Sequence, residues 1–312
     1  MKTNLIAFIF FFSHATFANE IPDYPVDKIA TNTYVIHGPL EYPNKKNQGF
    51  MNNPGFVITN NGVVVIDPGS SLYTGKLLLR AIKKITSKPV THVLNTHIHG
   101  DHWLGNQAFS EAYPKAILMA HPAMIAKAKA GDAAMWIKAM EDLTHGATKG
   151  TIAVIPDNVI DEAFVLKTGG FSFKIFAPSD AHSKSDIMIQ VIEESVLFLG
   201  DNVLYKRIPR MDDGTFRGNI NACDVAIKIA AKKYIPGHGP SDGVDIVHQY
   251  KDYLSTLYQK VAHYYDEGLT DFEMKPKVVA HLEKFQNWNG FTEEVGRHIN
   301  LAMLEAEAAS FE

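Results

Sequence analysis

Short apolar and β-branched runs alternate with polar turns in the first quarter of the chain, predicting strands over residues 33–37, 55–59 and 63–67. Asn60-Asn61-Gly62, between the last two, has the composition of a hairpin turn. The spacing then changes: Leu77, Leu78, Ala81, Ile82 and Ile85 recur at helical intervals and predict a helix over 74–84. Residues 90–95 read as a buried strand, 103–112 as a helix, 116–120 as a strand and 122–143 as one Met- and Ala-rich helix. The pattern returns to strands over 164–167, 171–176, 187–192 and 196–199. An amphipathic helix over 221–231 follows, and a strand ends at Tyr234-Ile235-Pro236-Gly237-His238-Gly239.

A strand-rich stretch followed by β/α alternation, occurring twice, predicts two similar halves with sheets packed together and helices outside. Beyond Ser241 the chain is helical and aromatic-rich. Its final stretch, 292–309, gathers Val295, Ile299, Ala302, Met303 and Ala306 on one helical face. That face packs on the main domain or on a partner subunit, and core packing is favoured over a place in a substrate pocket wall.

Composition narrows the class. The 312 residues are 46% hydrophobic and 21% charged, enough for one large α/β domain or two modest ones. A formal charge of −4 without a long basic run argues against nucleic acid as the main partner. Lys2, an apolar run over 5–12 and Ala15-Thr16-Phe17-Ala18 read as a secretory signal cut after Ala18. The run falls short of the ~20 residues of a spanning helix, so no membrane anchor is expected after cleavage. The expected division is therefore 1–18 signal peptide, 19–245 catalytic domain and 246–312 helical extension, with a periplasmic or secreted product. Cys223 is the only cysteine, which excludes an internal disulfide and suits a buried small residue in its helix.

The chemistry is concentrated in seven residues. Thr96-His97-Ile98-His99-Gly100-Asp101-His102 follows the buried strand, and His182, Asp201 and His238 come later at strand ends or turns. Imidazole with carboxylate suits zinc, manganese or iron, and seven such groups exceed the needs of one ion. Two metals sharing a carboxylate would use all seven. In an extended segment His97 and His99 project to one side, Asp101 continues that side, and a turn lets His102 join. His182 has no neighbouring ligand to support it. His37, His92, His121, His145, His248, His263, His281 and His298 lack such company and read as ordinary core or surface histidines. Asp67 is expected beside the site, orienting a ligand imidazole or capping its own turn. Lys184, Lys206, Arg207 and Arg210 follow His182 and Asp201 on loops. They attract an anionic substrate group or simply face solvent, and the usual exposure of Lys and Arg favours solvent for each.

Val65-Ile66-Asp67-Pro68-Gly69, the His97–His102 run, Ala177-Pro178 before His182, Leu199-Gly200-Asp201 and Pro236-Gly237-His238-Gly239-Pro240 together resemble the metallo-β-lactamase superfamily over most of residues 30–245. The resemblance implies a four-layer αββα sandwich with metals at one edge between the sheets. It puts His97, His99 and His182 on one metal, Asp101, His102 and His238 on the other, and Asp201 between them, with Asp101 and Asp201 taking part in catalysis. Two Zn2+ per chain are expected, with iron or manganese as alternatives, acting on a small-molecule ester, lactone, thioester or β-lactam. Keeping both His102 and Asp201 departs from the true metallo-β-lactamases. Arg207-Ile208-Pro209 and the tail Ile299-Asn300-Leu301-Ala302-Met303-Leu304-Glu305 are similar to exported quinoprotein relay system zinc metallohydrolases, also called sulfur-oxidation-associated hydrolases. Two other classes stay open: a mononuclear iron persulfide dioxygenase, and a non-catalytic accessory protein of the same fold.

Overall fold

The computed structural model describes residues 21–311; the expected signal segment, 1–18, lies outside the described residues. The first sheet has the order β1 (Asp27–Lys28), β2 (Thr33–Val35), β3 (Gly55–Ile58), β4 (Val63–Ile66), β5 (Val90–Asn95), β6 (Ile117–Ala120) and β7 (Asn158–Val159). It is antiparallel through β4 and parallel from there on. The second sheet begins with β8 (Val165–Thr168), β9 (Phe171–Phe176), β10 (Met188–Val191) and β11 (Val196–Leu204), all antiparallel, and adds β12 (Lys233–His238) parallel to β11. Each half thus runs through antiparallel hairpins into a parallel crossover, as the pattern implied.

Strand β4 shows how the layers form. Val64 and Ile66 point inward and meet Ile175, Ile189, Val196 and Phe198 of the second sheet. Val63 and Val65 point outward and pack on Leu77, Leu78 and Ile82 of α1 (Leu72–Ile85). All four residues are buried, because period-two side chains here meet a covered surface on both faces. The outer face of the second sheet, with Leu197 and Leu199, is covered by α6 (Phe216–Ile229), α7 (Asp245–Asp266) and α9 (Phe291–Ala309). The result is a mixed α/β sandwich of two sheets flanked by helices, with a helical C-terminal extension. Val295, Ile299 and Ala302 of α9 lie in that core, and Cys223 is buried beside them.

Among the boundaries that differ from expectation, such as the helix expected over 221–231 that runs over Phe216–Ile229, three bear on the site. The region predicted as one helix over 103–112 divides into α2 (Gly100–Trp103) and α3 (Asn106–Ala112). The helix predicted over 122–143 breaks into α4 (Pro122–Lys127) and α5 (Ala133–Leu143), joined by a π turn in which Gly131 adopts φ 133°. A positive φ of that size is accessible to glycine and to few other residues. Strand β11 runs on to Leu204 rather than stopping at 199, through two irregularities around Gly200. Asp201 therefore sits on a bulged strand, not at a strand end.

Candidate metal centre

The seven predicted residues converge from His97–His102 just past β5, His182 in the loop after β9, Asp201 within β11 and His238 at the end of β12. His97, His99, His182 and Asp201 form one group and Asp101, His102 and His238 a second, the ligand atoms within each lying within 4.8 Å of one another. The Asp201 carboxylate lies between them: Oδ1 is 3.1 Å from His102 Nε2, and Oδ2 is 3.4 Å from both His182 Nε2 and His238 Nε2. Asp101 Oδ2 is 3.1 Å from His238 Nε2. Asp101 does not continue the extended side expected of His97 and His99. The strand ends at Asn95, His97 and Ile98 lie in a bend, and Asp101 and His102 ride on the single turn of α2. The bulge at Gly200, with φ 53°, turns the Asp201 side chain toward the cluster. A Cβ on Gly237 would stand 1.9 Å from Asp201 Oδ1, so glycine leaves the carboxylate its space.

Four imidazoles use their second nitrogen on an acceptor outside the cluster. His102 Nδ1 meets Asp67 Oδ2 at 2.8 Å, His238 Nδ1 meets the Met51 carbonyl at 2.8 Å and His99 Nε2 meets Asp213 Oδ2 at 3.0 Å. His97 Nδ1 lies 3.0 Å from Thr96 Oγ1, which donates to Asp67 Oδ2 at 2.7 Å. Such acceptors hold Nδ1 or Nε2 protonated and turn the other nitrogen inward as a lone pair. Asp67 thus orients two imidazoles, one directly and one through Thr96. The Thr96 amide donates to its Oδ1 at 2.8 Å, so it fixes its own turn as well. The His182 loop is held by Ser183, whose amide and hydroxyl donate to Asp186 at 2.6 and 2.9 Å. Burial pushes the Asp186 carboxyl up to about 7 against those bonds.

A cavity of about 570 Å³ opens onto the cluster at His99, Asp101, His182, Asp201 and His238. One wall is the apolar side of α5, with Met135, Trp136, Ala139, Met140 and Leu143; the other carries Tyr42, Ile208 and Pro209. Glu294 and Arg297 of α9 also reach it. The C-terminal helix therefore packs in the core, as expected, and contributes to the pocket as well. Arg207 corrects the expectation of a solvated loop. It is 5% exposed and lines the cavity, because Ile208 N–H bonds to the Asn289 carbonyl and Tyr42 lies over the guanidinium. Arg210 lines the rim and pairs with Asp212, whereas Lys184 is exposed away from the site. Asp213 was missed by the sequence reading, and its only signal was a pair of acidic residues in a glycine-containing loop.

Residues 48–238 match the family model described as the metallo-beta-lactamase superfamily. The chain belongs to that superfamily. Solved structures agree in fold. A metallo-beta-lactamase from Pontibacter korlensis aligns at a TM-score of 0.59 and 20% identity, over 74% of this chain and 98% of that one. The DIM-1 metallo-beta-lactamase gives 0.59 and 16%, over 76% and 99%. The sec-alkylsulfatase Pisa1 from Pseudomonas sp. gives 0.71 and 16% over 90% of this chain, which spans only 50% of that larger protein.

The donor set of this superfamily member fits divalent metal. His102 Nδ1 and His238 Nδ1 are both committed as donors, so in the neutral rings two Nε2 lone pairs face each other at 3.3 Å. His99 Nδ1, left as the lone pair by the bond from Nε2 to Asp213, stands 2.9 Å from His182 Nε2, while His182 Nδ1 has no partner among the described residues. A proton or a cation must lie between such atoms. His97 Nε2 and Asp201 Oδ1 are buried with no hydrogen-bond partner among the described residues, which is costly without an ion to meet them. In the metal-free chain protons serve instead. Burial opposes charge on His102, yet Asp201, Asp101 and Asp67 hold its pKa well above the usual histidine value. Burial, aided by the neighbouring charge of His102, pushes His97 well below it. Burial likewise lowers His182 to about 3, leaving a neutral ligand.

Proposed function

We propose that the chain is an exported, zinc-dependent hydrolase whose seven ligands hold two metals, with Asp201 bridging. The observation that carries the reading is the Asp201 carboxylate, close to imidazoles of both groups while five histidines turn a nitrogen toward the same small volume. Divalent metal held there would supply Lewis acidity and lower the pKa of water from ~15.7 toward ~7.

The chain's own residues do the rest. Asp67, the Met51 carbonyl and Asp213 hold ligand imidazoles in the tautomer that keeps a lone pair inward. Asp101 lines the cavity, and despite its burial His102 and His238 keep its carboxyl well below the ordinary range. It therefore stays ionised, an anionic ligand that faces the substrate. The apolar side of α5 excludes water from one flank of the substrate. Ester, lactone, thioester and β-lactam bonds suit this chemistry. Alkyl sulfates join the test panel because a sec-alkylsulfatase shares the fold over 90% of the chain.

The test is a hydrolysis screen of residues 19–312 loaded with zinc, beside an Asp201→Ala variant. Turnover of one of these classes by the wild type, abolished in the variant together with loss of both metals, is the expected result. Full activity with two metals retained in the variant removes Asp201 from the bridge.

A further inference from the structure

We propose that Arg207 is a recognition site for an oxyanion of the substrate, and that the substrate is an amphiphile whose apolar part lies along α5. This rests on the hydrolase reading above and narrows its substrate.

Arg207 is a buried cation without a counter-ion. Its Nη1 donates to the carbonyls of Leu40 and Glu41 at 3.2 and 3.5 Å, and its guanidinium carbon is 5.2 Å from the Tyr42 ring centroid. Among the described residues no carboxylate pairs with it within 4.0 Å, and no hydrogen bond engages Nε or Nη2. The other basic groups on the cavity are committed. Arg210 pairs with Asp212 at 2.9 Å, and Arg297 pairs with the same carboxylate. Glu294, the nearest acidic side chain on that wall, receives the Tyr42 hydroxyl at 3.4 Å.

Leaving a guanidinium buried and unpaired is strongly unfavourable, and its planar fork matches a carboxylate or sulfate. The carboxylates that act most strongly on its charge are Asp101 and Asp201. Two divalent cations would outweigh those two carboxylates, which leaves Glu294 as the acid acting on Arg207, and Glu294 makes no ion pair with Arg207 within 4.0 Å. An incoming oxyanion supplies one. The opposite wall is apolar and partly open: Met135 is 52% and Leu143 50% exposed, with Trp136 between them. Exposed apolar residues beside a concave site are a surface that a ligand covers. About 570 Å³ accommodates a chain of several carbons together with a charged head.

The oxyanion can be a carboxylate remote from the scissile bond or the scissile sulfate itself. Calorimetry on the zinc-loaded protein tests the site through three ligands of one chain length: octanoate, octane-1-sulfonate and octan-1-ol. Arg207→Met keeps the volume and removes the charge, Arg207→Lys keeps the charge, and Lys184→Met, at an exposed lysine outside the cavity, is the control for loss of a positive charge. Arg207→Met is expected to weaken both anions by ten- to hundredfold, with octan-1-ol unchanged. Arg207→Lys retains part of the affinity, and Lys184→Met matches wild type. Loss confined to octane-1-sulfonate identifies the sulfate form of the proposal, and loss confined to octanoate the carboxylate form. Equal anion affinity in wild type and Arg207→Met overturns it, as does an equal loss for octan-1-ol. Binding is read without turnover, so a protein that hydrolyses nothing can still bind these anions through Arg207. An active hydrolase can equally well show no dependence on it.

Discussion

Replacing Asp67 with Asn isolates one proton in the metal centre. The side chains are nearly isosteric, and Asn tolerates the left-handed backbone that Asp67 adopts at φ 50°, so the turn itself is little disturbed. The amide oxygen takes the position of Oδ1, which receives the Thr96 amide at 2.8 Å. Its NH2 then replaces Oδ2 and faces two donors, His102 Nδ1 at 2.8 Å and Thr96 Oγ1 at 2.7 Å. The Thr96 hydroxyl can rotate, at the expense of His97 Nδ1. His102 can adapt only by moving its proton to Nε2, the nitrogen that faces Asp201. That blocks a metal ligand. Loss of an imidazole's outer acceptor lowers metal affinity by ~10–100-fold, or about 1.4–2.7 kcal/mol.

The assay is zinc competition against a chromophoric chelator, resolving two binding steps. The step assigned to Asp101, His102 and His238 should weaken by the larger amount, because His102 loses its partner directly. The step assigned to His97, His99 and His182 should weaken less, being linked to Asp67 only through Thr96. Two affinities indistinguishable from wild type would refute the tautomer argument. A larger loss in the second group than in the first would refute the path through Thr96.

Gly237→Ala should displace the Asp201 carboxylate, since the new Cβ would lie 1.9 Å from Oδ1; metal content should fall and activity drop by ~10²-fold, measured on the same sample. His298 is buried, with the Tyr253 hydroxyl on Nδ1 and the Pro209 carbonyl accepting from Nε2, and burial lowers its pKa from 6.5 to about 4. It is neutral when folded and protonates more readily when unfolded. Its contribution is therefore complete above pH 6.5 and is lost as pH falls toward 4, by roughly 3 kcal/mol. His298→Gln, which can accept from Tyr253 and donate to Pro209, should flatten that part of a urea-unfolding profile without changing metal content. An unchanged acid slope would show that His298 does not titrate in this window.

The sandwich and the metal run were legible because both are written in short-range pattern. Val64 and Ile66 alternate with Val63 and Val65, and four of the seven ligands stand within six positions. What was not legible depends on chain segments meeting. Arg207 reads like any loop arginine until the segment around Asn289 and Tyr42 closes over it. Asp213 gains its place only by reaching His99 from more than a hundred residues away. The break at Gly131 escaped because one glycine lowers helix stability by only ~1 kcal/mol, and the Ala and Met spacing reads through it. The apolar face of α9 was predictable. Which of its polar residues meet the cavity was set by how the helix docks, and that brought Glu294 and Arg297 there.

The central claim is a two-metal centre, and elemental mass spectrometry of residues 19–312 purified without added metal tests it most directly. The account predicts close to two zincs per chain, falling on Asp201→Ala. One iron per chain with O2 consumption, or no bound metal at all, would contradict it.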